Sequence, residues 1–260
     1  MNPVDYEFSI VRADEEIEAA FRLRYAVFVE EVGAFPAMQD GLERDAYDAH
    51  SMHFVAKLAG TIVGTVRVQK CAPVLARTRG TRFGLPGEEH YDYAPFEDDR
   101  VPVAEVSRSS VLPDHRGSKV LANLWKIAYN AARRAGCTHF MSLGHVGYTD
   151  SLVDANIVYD LVERAGMLHP RYHLTRRAEA SNPERPRFPL FTDAERQDAA
   201  HLRLPAMVRL FHRFGLRACG RPVFVLSIGR VGLPMLACPE TFSPATLEFF
   251  HAPDPAHRLE

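Results

Sequence analysis

Residues 101–136, VPVAEVSRSSVLPDHRGSKVLANLWKIAYNAARRAG, hold the pattern on which the fold turns. Val101 to Leu112 predicts a strand. Gly117 to Ala135 predicts a helix, because Val120, Leu124, Ile127, Ala128, Ala131 and Ala135 recur on one side. Lys119, Asn123, Lys126, Asn130 and Arg133 fall on its other sides, and Gly136 supplies a stop. Thr138 to Leu143 is the next strand, so the unit is strand–helix–strand and should cross over right-handed. The turn His115-Arg116-Gly117-Ser118-Lys119 opens the helix. Free backbone N–H groups and the positive end of the helix dipole favour a phosphate there. With a single glycine, the turn taken alone reads better as a plain strand-to-helix connection with solvent-facing Arg and Lys.

Working outward, Tyr6 to Val11 predicts a first strand and Asp14 opens a helix. Along that helix Ile17, Ala20, Phe21, Arg24, Val27 and Phe28 share one face. Arg24 on an apolar stripe needs an anion, since an unpaired buried charge is very costly. Asp45 or Asp48, in the irregular acidic stretch that follows, can supply it, and so can a substrate carboxylate. Met52 to Leu58 and Thr61 to Gln69, joined by Ala59-Gly60, read as a hairpin. Residues near 71–100 form a Gly- and Pro-rich loop excursion. Asp150 or Ser151 caps a helix that runs to Ala165. An irregular insertion lies near 176–200, a basic amphipathic helix spans Leu202 to Leu216, and Pro222 to Ile228 is a final strand. The expected organisation is one domain over 1–240 with a peripheral tail at 241–260. Its class is α/β (α+β), with a mixed sheet and helices on both faces.

Lys plus Arg is 31 and Asp plus Glu is 33, a balance that argues against general nucleic-acid binding. No apolar run reaches the length of a membrane span, and the N-terminus has no secretory pattern. The four cysteines, Cys71, Cys137, Cys219 and Cys238, form no CxxC pair, so neither a disulfide nor a zinc site is expected and a cytoplasmic setting fits. His50 and His53 lie near Asp45 and Asp48 without a metal-binding spacing, and no metal is expected there.

The segment from Val101 to Gly166 resembles the core of the GNAT acyltransferase superfamily. There a strand, a Gly-containing turn and a helix hold the pantetheine-phosphate arm of an acyl donor. The resemblance places Val111, Arg116, Gly117, Ser118 and Lys119 at that arm. The turn lacks the full pair of glycines, which suits a donor with a single phosphate, as on acyl carrier protein, over intact coenzyme A. Asn156 to Met167 resembles the family helix whose tyrosine protonates the departing thiolate, and Tyr159 matches it. FRLRYAVFVEEVG, ERDAYDAHS, GTVRV and AEVSRSSV follow in order and resemble acyl-homoserine-lactone synthases and long-chain N-acyl amino acid synthases. On that match Arg24, Phe28, Asp45, Asp48, Arg67, Ser107 and Arg108 border the acceptor. Val32 to Phe35 lacks the tryptophan of the homoserine-lactone pattern. LPAMVRLFHRFGLRACGRPVFVL resembles the C-terminal part of larger acyl-carrier-protein-dependent acyltransferases, among them ornithine lipid acyltransferases.

The resemblance therefore implies a GNAT-like, largely antiparallel sheet and an N-acyltransferase with no tightly bound cofactor. Its donor substrate is acyl-ACP (or acyl-CoA). Its partners are acyl carrier protein and a small amine or amino-acid acceptor. Glu105, disfavoured in a strand interior unless paired or functional, is the expected base. Arg116, Lys119, Lys126, Arg133 and Arg134 form an expected basic patch for an acidic carrier protein, and the helix from Leu202 is a candidate for peripheral membrane contact. Three alternatives stand beside this reading: a homoserine-lactone synthase, an acetyl-CoA-dependent N-acetyltransferase, and a non-catalytic acyl-binding module.

Overall fold

The structure is a computed structural model that describes residues 5–145, 151–177, 191–225 and 230–253. The candidate cap Asp150, the middle of the 176–200 insertion, the end of the strand expected at 222–228 and the last residues of the tail lie outside them.

Strand β1 (Glu7–Val11) leads into helix α1 (Asp14–Tyr25), which continues as a π-helical stretch, Ala26–Glu31. Strands β2 (Met52–Leu58) and β3 (Thr61–Lys70) form the expected hairpin, with Ala59 and Gly60 both at positive φ in its turn. The 71–100 excursion is not a bare loop. It carries α2 (Pro73–Arg79), a tight turn at Pro86–Glu89, β4 (Tyr91–Asp92) and α3 (Ala94–Asp98). Leu85, Tyr91, Tyr93 and Phe96 from it pack with Val103, Met141 and Tyr172 into an apolar cluster of their own. That burial is what orders a stretch whose sequence lacks periodicity.

Strand β5 (Val103–Val111) is followed by helix α4 (Val120–Arg134) and strand β6 (His139–His145). The helix starts at Val120, not at Gly117, because Gly117 takes a left-handed φ of 75° and Ser118 Oγ accepts the Val120 N–H at 3.2 Å. Helix α5 (Leu152–Arg164) is capped by Ser151, whose side chain accepts from the Asp154 N–H. The chain continues through β7 (Thr175–Arg176), α6 (Asp193–Asp198), α7 (Ala206–Arg213), β8 (Arg217–Ala218), β9 (Val223–Val225), β10 (Arg230–Ala237) and α8 (Pro244–His251).

The main sheet runs β1-β2-β3-β5-β6-β10-β8, with β9 also on β10, and β4 pairs β7 apart from it. Among the described strands every ladder is antiparallel except β5 with β6, and isolated parallel bridges join Leu168 to Ala218 and Leu174 to Gly220, so the fold class agrees with expectation. Strand residues alternate between two faces. Gly64, Val66 and Val68 of β3 meet the core built on α4, whereas Arg67 of the same strand meets Arg24's partners on the side of α1.

Further expectations are corrected. The final strand is β10, whose Gly232 and Pro234 break the strand pattern in sequence although it pairs with β6 along its length. The tail is not peripheral as far as His251: Phe250 is 2% exposed and stacks on Tyr129, 4.1 Å between centroids. This also removes Lys126 from the expected basic patch, because its Nζ donates to the Pro253 carbonyl at 2.8 Å beneath that segment.

Candidate active site

The front motifs converge on one buried ionic network. Arg24, on the apolar face of α1, is 1% exposed. Its Nε donates to Glu43 Oε2 at 2.5 Å, and its Nη1 and Nη2 donate to the two oxygens of Asp48 at 2.8 and 3.2 Å. Arg67 of β3 donates through Nη1 to Asp45 at 2.6 Å and to Asp48 at 2.9 Å, and through Nε to Ser107 Oγ at 3.0 Å. Arg108 of β5 closes the ring, donating to Glu43 at 3.0 Å and Asp45 at 2.8 Å. Three guanidinium groups therefore face three carboxylates, which is how so many charges are tolerated inside a fold. Burial alone would raise the Asp45 and Asp48 carboxyls. The Arg67 guanidinium, with Arg108 on Asp45 and Arg24 on Asp48, outweighs it and holds both below the ordinary range. Glu43, in the same acidic stretch as Asp45 and Asp48, is the partner that sequence reasoning passed over. His53 is a core histidine: burial lowers its pKa, and its Nε2 bonds the Asp48 carbonyl at 3.1 Å.

Arg108 reaches the network because the strand is bent to aim it. Across β3–β5, Arg67 faces Ser107 while Thr65 faces Ser110, so Arg108 and Ser109 together oppose Val66. This is a β-bulge, and Arg108 stands in it at φ 53°. Holding a large residue there costs of order 1–3 kcal/mol, which its two carboxylate partners and the Phe35 ring 4.8 Å away offset. Phe28 packs edge-on to Phe35, 5.9 Å between centroids, in the π-helical stretch.

The bulge coincides with a fork. β5 and β6 pair only at Val103–His139, Ala104–Phe140 and Glu105–Met141. Beyond Glu105, β5 stays with β3 and β6 stays with β10. Among the described residues, the edge of β5 that faces the fork is thus released from strand pairing.

Glu105 sits where the strands part. It is 3% exposed, and Oε2 accepts the Gly87 N–H at 2.8 Å and the Tyr93 hydroxyl at 3.5 Å. Burial pushes its carboxyl up to about 7, with the Gly87 N–H and the Arg67 charge pulling the other way. Sequence reading missed its supports, which come from the excursion. A Cβ on Gly87 would lie 2.0 Å from the Tyr93 hydroxyl, so only glycine fits. Glu88, itself buried, accepts the Phe83 and Leu85 N–H groups and fixes the turn. Gln69 Nε2 donates to the Gly84 carbonyl at 2.6 Å. Of the remaining charge in the network, Arg67 Nη2 is buried without a hydrogen-bond partner among the described residues.

The other expected residues fall apart from this cluster. Tyr159 on α5 is 6% exposed, with the Arg221 guanidinium 5.1 Å over its ring, and burial raises its pKa. Among the described residues no hydrogen bond or ion pair joins it to Glu105. At the turn before α4, Arg116 holds the Val111 carbonyl through Nε at 2.9 Å and the Glu31 carboxylate through Nη1 and Nη2 at 2.5 and 2.6 Å. Gly117, Ser118 and Lys119 follow it at the surface. No helix among the described residues is long and apolar enough to cross a membrane.

A mixed, largely antiparallel sheet forked beside a bulged strand, with a tight turn leading into the next helix, is a GNAT-like fold. Residues 23–126 match the family profile described as Acetyltransferase (GNAT) domain. Over 128 residues the chain is 35% identical to an L-ornithine N(alpha)-acyltransferase of Rhodobacter capsulatus; the match covers 47% of this chain and 49% of that protein. The chain thus aligns with about half the length of this curated relative. Among solved structures, it superposes on an N-acyl amino acid synthase from uncultured soil microbes with a TM-score of 0.52 at 10% identity, covering 90% of each chain. It superposes equally, at 0.52 and 15% identity, on a CoA-dependent acyl-homoserine lactone synthase, covering 97% of this chain and 93% of the other.

Proposed function

We infer that this protein is an N-acyltransferase that moves an acyl group from an acyl carrier protein thioester onto the amine of an amino acid. The observation that carries the reading is Glu105: a buried carboxyl near neutrality, at the mouth of the β5–β6 fork and beside the arginine network. The thioester lies in the fork, with its carbonyl oxygen taken by N–H groups of β5. Its phosphate lies at the turn from Arg116 to Lys119, where the exposed Glu31 pair yields to it. The acceptor's carboxylate meets the buried network, for which the uncommitted Nη2 of Arg67 is the supporting detail. The acceptor nitrogen attacks the carbonyl carbon, the C–S bond breaks, Glu105 takes the proton from nitrogen, and Tyr159 returns one to sulfur. No covalent enzyme intermediate is required. The alignment with an ornithine Nα-acyltransferase supports an α-amino acid as acceptor.

The test is to incubate the protein with long-chain acyl carrier protein and an amino-acid pool and to read N-acyl products by mass spectrometry. Absence of product from every pool, with acetyl-CoA consumed instead, refutes the donor assignment. Lactone formed from S-adenosylmethionine would decide for the second reading, an acyl-homoserine-lactone synthase, which the shared front motifs favour and the missing tryptophan opposes.

A further inference from the structure

At the closed end of the β5–β6 seam, outside the ion pairs around Arg24, a second set of chemically capable side chains gathers. His139 opens β6 and pairs opposite Val103. Cys238 directly follows β10, and Glu240 lies in the short turn Pro239–Thr241 after it. Ligand atoms of His139, Cys238 and Glu240 all lie within 4.8 Å of one another. His139 and Cys238 are buried, whereas Glu240 is exposed and leaves an approach from solvent.

The hydrogen bonds around Cys238 are directional. His169 Nδ1 accepts the backbone N–H groups of Arg171 and Tyr172 at 3.2 and 3.1 Å. That nitrogen therefore carries no proton, and the neutral ring holds its proton on Nε2. Nε2 lies 3.3 Å from Cys238 Sγ, so it donates to the sulfur. The thiol in turn donates to Glu240 Oε2 at 2.8 Å. Sulfur and carboxylate thus already converge, with one proton between them, while a fixed N–H points at the sulfur from behind. His139 is held through Nδ1 by the Thr138 hydroxyl at 2.8 Å. Arg171, the nearby cation, is engaged by Asp99 at 2.7 Å.

We propose that His139, Cys238 and Glu240 form a zinc-type metal site, with His169 as the hydrogen-bond donor that supports the thiolate. One nitrogen, one sulfur and one oxygen ligand are the donor set of a borderline divalent ion, and water completes a tetrahedron. Ligand atoms on such an ion stand about 3.5 Å apart, so the exposed Glu240 side chain would give up its 2.8 Å contact with the sulfur and swing outward to admit the ion. Binding replaces the S–H proton: the thiol loses one proton to solvent, an S–metal bond forms, and the two ligand charges neutralise the ion. The His169 N–H···S bond persists, as outer donors to metal-bound ligands commonly do. The ion would tie the exit of β10 to the entry of β6, bracing the end of the seam opposite the fork.

The experiment is titration of the metal-free 260-residue chain with Co2+ and with Zn2+. It is done in a Cys71→Ser background, because Cys71 is an exposed thiol. Expected are one equivalent bound per chain, a thiolate-to-cobalt charge-transfer band with tetrahedral visible bands, one proton released per ion, and a raised melting temperature. Cys238→Ser should abolish the charge-transfer band. Glu240→Gln, at an exposed position that leaves folding intact, should weaken binding at least ~10-fold, as loss of even an outer partner does. His169→Phe should keep the band and weaken affinity ~10–100-fold. No saturable binding, or a band that survives in Cys238→Ser, overturns the site. If Cys238→Ser does not fold, unchanged affinity in Glu240→Gln overturns it. Acyl transfer is not part of any readout, so the site stands or falls independently of the proposed reaction.

Discussion

Replacing Glu105 by glutamine should disable the protein and stabilise it at the same time. In the folded chain burial carries the carboxyl from its ordinary value of 4.5 to about 7. Between those two values the unfolded chain releases its proton while the folded chain keeps it, so stability falls as pH rises through that window and the penalty is complete above it. At about 1.4 kcal/mol per pH unit, ionising Glu105 in place costs the fold roughly 3 kcal/mol. Glutamine carries no charge, and its carbonyl still accepts the Gly87 N–H. Glu105→Gln should therefore gain up to roughly 3 kcal/mol at pH 8, a rise in melting temperature of about 5–10 °C for a chain of this size. At pH 4.5 the gain should shrink below about 0.5 kcal/mol. Loss of the base should meanwhile lower acyl transfer by ~10²–10⁴, and wild-type kcat/KM should rise with pH through about 7. Thermal melts at the two pH values, with turnover followed by mass spectrometry, decide the matter. A variant destabilised equally at both pH values would show Glu105 to be an ionic partner of Arg67, and unchanged turnover would remove it as the base.

Arg24→Met should cost about 3–5 kcal/mol in chemical denaturation, because Glu43 and Asp48 are left charged in the interior; Arg116→Ala, at an exposed pair, should cost less than about 1 kcal/mol while raising KM for the acyl donor. Gly87→Ala drives a methyl into the Tyr93 hydroxyl and Glu105, and should cost about 1–3 kcal/mol together with most activity, since the turn that seats Glu105 must shift. Ser151→Ala removes the cap of α5 and should lower stability by about 1 kcal/mol without altering the pH profile, measured by melting and by turnover.

What was legible in the sequence was what local periodicity encodes. The hairpin across Ala59-Gly60, the run from β5 through β6 and the stop at Gly136 all follow from spacing. Arg24 announced its network because a guanidinium on an apolar stripe demands carboxylates. Which carboxylates answered depended on a loop without periodicity, so Glu43 went unrecognised beside Asp45 and Asp48. The supports of Glu105 were hidden for the same reason: Gly87, Glu88 and Tyr93 lie in a stretch that reads as loop and is ordered by tertiary burial. Strand β10 was concealed by Gly232 and Pro234. Lys126 looked solvent-facing because α4's own pattern carries no record of the helix Pro244–His251 that covers it.

The three residue pairs that join β5 to β6 also bear on how the chain assembles. β1, β2, β3 and β5 pair almost in sequence order, each against its predecessor, although only β2 and β3 are joined by a short turn. β6 must then dock in parallel across the length of α4, and its other neighbour, β10, arrives from far down the chain. Contacts of such separation are slow to form. The stretch shared with the family profile, residues 23–126, ends within α4, before β6 begins. The seam therefore joins a half of the sheet built from strands that pair in sequence order to a half whose inner strand, β6, must wait for β10 to complete its pairing.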